Sequence, residues 1–214
     1  MPRQPILVQR ANQASAAQLA ASITGQEELK ASQHVDVALL TASELPQELR
    51  EAVFALWERN MRTLYVESSF GWDPTSKERE LFHTTSRFIV VCPTDNASMI
   101  SQSDVIAYTM FRFDREDGQN VVYCYELQVH EKAQRMGLGK YLMQQLASIG
   151  RTWHMKKIML TCLKANSAAK RFYITSGFEL DPTSPEYISS DEEIDEGQID
   201  ETVNVDYEIL SVLL

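Results

Sequence analysis

Gln134-Arg135-Met136-Gly137-Leu138-Gly139-Lys140 joins two segments of opposite period. Before it, VVYCYELQV (Val121 to Val129) is rich in β-branched and aromatic residues and reads as a strand. After it, GLGKYLMQQLASIGRTW places Leu138, Leu142, Leu146 and Ile149 on one face of a helix. Glycines at such a junction let backbone N–H groups approach a ligand closely, and the helix N-terminus adds partial positive charge. Arg135 and Lys140 supply two formal charges. The stretch therefore reads as a candidate pyrophosphate site, against the plain-turn reading that any Gly-x-Gly invites.

Working outward, RFIVVC (Arg87 to Cys92) and VIAYTMFRF (Val105 to Phe113) precede the strand, with turn signals PTDNAS and DREDGQN between them. An antiparallel meander is expected. Downstream, KIMLTCL (Lys157 to Leu163) reads as a buried strand, NSAAKRFYITSGF as a helix stopped by Gly177, and VDYEILSVLL as a closing strand. Upstream, VDVALL (Val35 to Leu40) reads as a short strand. Leu45, Leu49, Val53, Trp57, Met61 and Leu64 recur at helical spacing, with Ser43 as N-cap. A loop, SSFGWDP, and a short helix, SKERELFHT, follow. Residues Asn12 to Ala21 suit a helix that Gly25 breaks. The order predicts an α/β fold: one domain over 35–214, a mixed central sheet with helices on both faces, and an N-terminal helical extension over 1–34.

Composition narrows the classes. No apolar run reaches the roughly 18 residues of a membrane span, and MPRQPILVQR lacks a secretory core. Cys92, Cys124 and Cys162 lack metal-ligand spacing and read as reduced core thiols. His34, His83, His130 and His154 are scattered, so no metal is expected. The segment 181–201 holds nine of the carboxylates and no Lys or Arg; without it the formal charge of -10 falls to -1. Such local acidity argues against direct nucleic-acid binding and suits either a solvated insertion or a basic partner.

Two further elements complete a pattern. Gln-x-x-Gly-x-Gly after a strand is followed about thirty residues on by Asn166, Ala169 and Tyr173, ending in SGF (Ser176 to Phe178). This set resembles the GNAT superfamily of acetyltransferases over about Arg87 to Leu180. The resemblance implies acetyl-CoA as cofactor. Its pyrophosphate would lie on Gln134, Arg135, Met136, Gly137, Leu138, Gly139 and Lys140. Backbone of Leu127, Gln128 and Val129 would meet the pantetheine and the acetyl carbonyl, and Asn166, Ala169 and Tyr173 would line the same site. VVYCYELQV, QRMGLGK, MKKIMLTCLKAN, SSFGWD, FRFD and YEIL together resemble, more closely, the NatD family of N-terminal acetyltransferases, over about Leu45 to Leu210. That family acts on histone tails beginning Ser-Gly-Arg-Gly. The resemblance implies Glu126 as general base, Tyr123 and Tyr125 beside the acceptor, and Asp114 and Glu116 on the substrate arginine. It implies Tyr65 and Tyr207 on the substrate backbone, and Phe70 and Trp72 on the first residue. Phe70 departs from the tryptophan usual there. A histone tail as partner implies a nuclear and cytoplasmic location, and a monomer is expected.

The residues themselves agree with such chemistry in part. An α-amino group has a pKa of about 8, so some is neutral at pH 7. A carboxylate completes the deprotonation, directly or through water, when burial makes it a stronger base. Glu126 lies among apolar neighbours in its strand. Alternation puts Tyr123, Tyr125 and Leu127 on one face and Cys124, Glu126 and Gln128 on the other, and leaves open which face holds the site. Asp114 and Glu116 fall in the DREDG turn, where a carboxylate is ordinarily a local acceptor. A lysine or small-amine acetyltransferase and an acyl-CoA-binding module without turnover are the alternatives.

Overall fold

The computed structural model describes residues 6–94, 105–187 and 205–214. The chain runs α1 (Ile6–Gln13), α2 (Ala16–Ala20), α3 (Gln26–Gln33), β1 (Val35–Thr41), α4 (Gln47–Val66), α5 (Pro74–Leu81), β2 (Arg87–Pro93), β3 (Ala107–Glu116) and β4 (Gln119–Val129). A 3₁₀ turn (Glu131–Ala133) then leads into α6 (Leu138–Thr152), β5 (Lys157–Leu163), α7 (Ser167–Thr175), β6 (Glu179–Leu180) and β7 (Tyr207–Leu213). The sheet order is β1-β2-β3-β4-β5-β7-β6. Strands β1 to β4 form the expected antiparallel meander. The α6 crossover makes β5 parallel to β4, and β7 inserts antiparallel between β5 and β6. The mixed α/β sheet is as the sequence implies.

Local chemistry explains where boundaries differ from expectation. Asn12 to Ala21 is not one helix: Ser15 caps α2, its hydroxyl accepting from the Gln18 N–H while the Gln18 side chain accepts from the Ser15 N–H. Ser43 does not cap α4. Helix α4 starts after Pro46, and the Glu44 carboxylate instead accepts from the Thr41 N–H and hydroxyl, each at 2.8 Å, closing the preceding turn. Helix α5 begins at Pro74, earlier than expected, because Asp73 accepts from the Ser76 N–H. Asp114 and Glu116 lie not in a turn but in the last residues of β3; the turn is Asp117-Gly118, both at positive φ. Of the acidic stretch 181–201, residues 188–201 lie outside the described residues.

Two apolar clusters sandwich the sheet. One joins β-strand residues such as Ile89, Phe111 and Val122 to Leu142, Leu146 and Ile149 of α6. Val8, Ala11 and Leu19 of the N-terminal helices belong to it and are wholly buried. The other joins Phe88, Tyr108 and Met110 to Val53 and Leu56 of α4 and Leu81 of α5. Cys124 and Cys162 are buried free thiols, and Cys92 is half-buried.

One irregularity decides the site. On β3, Met110 pairs with Glu126 but Phe111 pairs with Cys124, so β4 carries one extra residue, Tyr125. The bulge changes the alternation read from the sequence. Val122 and Cys124 face the α6 side before it, and Leu127 and Val129 face that side after it. Tyr125 packs toward α4 and α5, and Glu126 and Gln128 bond to side chains of those same helices. Tyr123, Tyr125, Glu126 and Gln128 therefore share one face, and Cys124 and Leu127 share the other.

At the opposite end of β5, Lys157 and Asp181 form a buried ion pair at 2.5 Å. Asp181 also accepts from the Thr183 N–H and hydroxyl. Burial pushes its carboxyl up, but the bonds from Lys157, Ser211 and Thr183 outweigh this and hold it at about 2. A depressed carboxyl contributes stability above its unfolded pKa and loses it as pH falls through the folded value. Asp181→Asn is therefore expected to lose about 2 kcal/mol at neutral pH. Its unfolding midpoint should also change less than that of the unmodified chain between about pH 4 and pH 2. Urea titrations across that range check this. Leu19→Ala, which empties a fully enclosed site, is expected to cost about 3 kcal/mol by the same measurement.

Candidate active site

Strands β4 and β5 pair only from Val121–Lys157 to Cys124–Leu160. Both continue, β4 to Val129 and β5 to Leu163, without pairing to each other. On that side the backbone of β4 has no strand partner among the described residues, which leaves groups there available to a ligand, although the Val129 carbonyl already accepts from Asn60. The divergence opens a cleft of 1410 Å³.

One half of the cleft is cationic and glycine-lined. Gly137, at φ +85°, caps α6, and the first main-chain bond of that helix is Tyr141 N–H to the Gly137 carbonyl. The N–H groups of Leu138, Gly139 and Lys140 precede it and aim outward. Arg135 adopts φ +65°, a conformation that non-glycine residues rarely take. A Cβ on Gly139 would sit 3.4 Å from the Phe172 ring, so the glycine keeps this neck open. Gln33 of α3 donates to the Met136 carbonyl at 2.8 Å and steadies the loop. Arg135, Lys140 and Arg171 border this half. Donor groups at a helix N-terminus, open strand backbone and three cations fit a CoA diphosphate and pantetheine. Asn166 and Ala169 line the cleft, but the Asn166 carbonyl is engaged, accepting from the Ala169 N–H as the cap of α7. Tyr173 reaches the cleft from a buried position. Met136 points away and is exposed.

The other half is built on Glu126, which is buried. Its neighbours are not the apolar ones that its strand suggested. One carboxylate oxygen pairs with the Lys77 ammonium, and the other accepts from the Gln128 amide at 2.7 Å. Asn60 of α4 donates to Gln128 at 2.9 Å and to the Val129 carbonyl at 3.2 Å. Lys77 is buried too, and it also pairs with Glu80. Burial opposes its charge, yet Glu126, Tyr65 and Glu80 outweigh this and raise its pKa. The Tyr65 hydroxyl stands 3.5 Å from the Lys77 nitrogen, and burial followed by the Glu126 charge pushes it up to about 12.

Aromatic rings wall this half. Tyr65, Phe70 and Tyr207 follow one another at centroid spacings of 5.9 and 5.3 Å. Tyr65 and Phe70 line the cleft, and Tyr207 stands behind Phe70. Trp72 does not line it; the ring stacks on Trp57 at 4.9 Å and buttresses the wall. Ser69 donates through its N–H and hydroxyl to Asp206, tying this loop to the start of β7. Tyr123 and Tyr125 stand side by side at 4.9 Å, with Arg112 over Tyr125. The Tyr123 hydroxyl bonds Thr161 at 2.6 Å, and burial pushes it up to about 12. Glu116 lines the far end of the cleft, its pKa raised by burial and by Asp114. Asp114 lies two residues back on the same strand face without lining the cleft itself.

Sequence reasoning missed Lys77, Glu80 and Asn60. Lys77 carries one signal: it precedes the buried Leu81 by four residues and so shares its helix face. Among the described residues no group of His, Cys, Asp and Glu side chains forms a metal site.

Comparisons with known proteins agree with this architecture. An acetyltransferase from Streptococcus agalactiae superposes with a TM-score of 0.59 at 14% identity, covering 85% of this chain and 99% of that one. The NatC complex bound to Gag peptide and CoA gives 0.55 at 18% identity, covering 85% and 99%. The PaiA N-acetyltransferase of Thermoplasma acidophilum in complex with coenzyme A gives 0.53 at 14%, covering 84% and 99%. At such identities these neighbours are evidence of fold alone. Residues 52–178, more than half of the chain, match the Acetyltransferase (GNAT) family. A cleft that fits CoA and a family match spanning its main elements agree: this chain belongs to the GNAT family and is an acetyl-CoA-dependent acetyltransferase.

Proposed function

We propose that the chain is an N-terminal α-amino acetyltransferase acting on histone H4-type tails that begin Ser-Gly-Arg-Gly. The observation that carries this reading is the β4 bulge, which brings Glu126 to the same face as Tyr123 and Tyr125. On that face, Asp114 and Glu116 lie further along the sheet, spaced to receive a cation a few residues from the acceptor amine. The NatC complex, of the same fold, binds a peptide together with CoA, and an extended peptide suits the open aromatic-walled half here. The resemblance of YCYE, SSFGWD and FRFD to the NatD family supports the same choice. Nuclear and cytoplasmic residence and a monomeric state accompany the proposal.

When bound, acetyl-CoA would supply a thioester whose acetyl carbon bonds the amine nitrogen while its C–S bond breaks, CoA leaving as the thiolate that takes up a proton to become the thiol. Glu126 accepts the proton that the α-amino group must lose, directly or through water. The Tyr65 and Tyr123 hydroxyls, both pushed up to about 12, stay protonated and are not the proton acceptor. The Leu127 and Val129 N–H groups, on the unpaired side of β4, polarise the acetyl carbonyl. Asp114 and Glu116 hold the third-residue arginine. Phe70, backed by Tyr207, shapes the space for the first residue, and Tyr65 flanks the peptide backbone; Trp72, stacked on Trp57, supports this wall from outside the cleft.

Labelled acetyl-CoA and three peptides test the reading. One begins Ser-Gly-Arg-Gly, one has that Arg changed to Ala, and one has a blocked N-terminus with free lysines. Transfer to the first, a clear loss with the second and none to the third are expected. Glu126→Gln should lower kcat by about 100-fold or more. Transfer to the blocked peptide would replace this reading with lysine chemistry. Gly139→Val, which fills the neck against Phe172, should weaken CoA binding by about tenfold or more in calorimetry, with little change in thermal stability.

A further inference from the structure

Lys77 is a buried charged group beside Glu126 that the chemistry above leaves unused. It touches two carboxylates, that of Glu126 on β4 and that of Glu80 one helical turn away on α5. The Glu126 partner is even more buried than Lys77, whereas the Glu80 side chain is 39% exposed. The ammonium lies over the Trp57 and Tyr65 rings, each centroid 5.7 Å away. With the Gln128 amide on the other oxygen, the Glu126 carboxylate is clamped at both oxygens. A buried carboxylate with no counter-ion favours its protonated form, which cannot accept a proton.

We propose that Lys77 is a positioning residue that keeps Glu126 ionised and in one orientation toward the acceptor, and that Glu80 tempers it by sharing the ammonium. The Glu80–Lys77–Glu126 arrangement thereby sets the lower pH limit of acetyl transfer. This rests on Glu126 acting as the base. The cluster is one positive and two negative charges, so it stays attractive to an arriving α-ammonium group while keeping the base charged. Other titratable groups near Glu126 are Tyr65 on α4, Tyr108 on β3, Cys124 on β4 itself and Tyr173 on α7. Burial raises the pKa of all four, so they are neutral at neutral pH and leave the two α5 side chains as the charged neighbours.

The test is the pH profile of kcat with saturating Ser-Gly-Arg-Gly peptide for the unmodified chain, Lys77→Met, Lys77→Arg and Glu80→Gln. The peptide amine is common to all, so differences between profiles report the enzyme. Lys77→Met should move the acidic limb up by about one pH unit or more and lower kcat at pH 7 by about tenfold or more. Lys77→Arg should restore the limb to near its original position. Glu80→Gln, at a partly exposed position, should fold normally and move the limb the opposite way, to lower pH. Disrupted packing would not give opposite shifts. Superimposable limbs in Lys77→Met or Glu80→Gln, with the unmodified chain active, overturn the role of Lys77. Absence of transfer by the unmodified chain would instead overturn the function proposed above.

Discussion

The extra residue in β4 is the constraint on which the site depends. Without it, strict alternation would send Glu126 to the face packed by α6, away from Tyr123 and among the apolar residues of that cluster. With it, consecutive residues Tyr125 and Glu126 leave the α6 face together, and Leu127 and Val129 return to it. A single insertion thus sorts one strand into two functions. On the function proposed above, side chains on one face would serve the acceptor, and backbone beyond the bulge would serve the thioester. The bulge also lies where β4 stops pairing with β5, so the divergence that opens the cleft coincides with the change of face.

Most of the architecture was legible because it is written in local patterns. The apolar runs of β2 to β5, the one-sided leucines of α6 and the glycines at its start each signal their element without outside help. The bulge was not legible. VVYCYELQV alternates as cleanly as a regular strand, and only the register imposed by β3 reveals the extra residue. Asp114 and Glu116 were misplaced for a related reason: DREDG has turn composition throughout, but Asp117-Gly118 alone makes the turn and the two carboxylates extend the strand. Lys77 was hidden because burial of a charge depends on a partner 49 positions away, and nothing in SKERE names that partner.

The site also separates charge by sign. Arg135, Lys140 and Arg171 border the half that suits a diphosphate, while Glu126, Glu80 and Glu116 line the half that suits a cationic peptide end. The two ends of β5 share this economy of charge. Lys157 is paired with Asp181 near the Glu116 end, and the opposing effects of these two charges on Glu116 offset each other in part.

The bond from Gln33 to the Met136 carbonyl ties the N-terminal helices to the glycine loop that precedes α6. Whatever steadies one partner of that bond steadies the other, since coupling between two sites is reciprocal. Residues 26–33 thus belong thermodynamically to the donor site although they bring no group to its chemistry. Loosening them would act on how tightly the cofactor is held and leave the speed of the chemical step to the far half of the cleft.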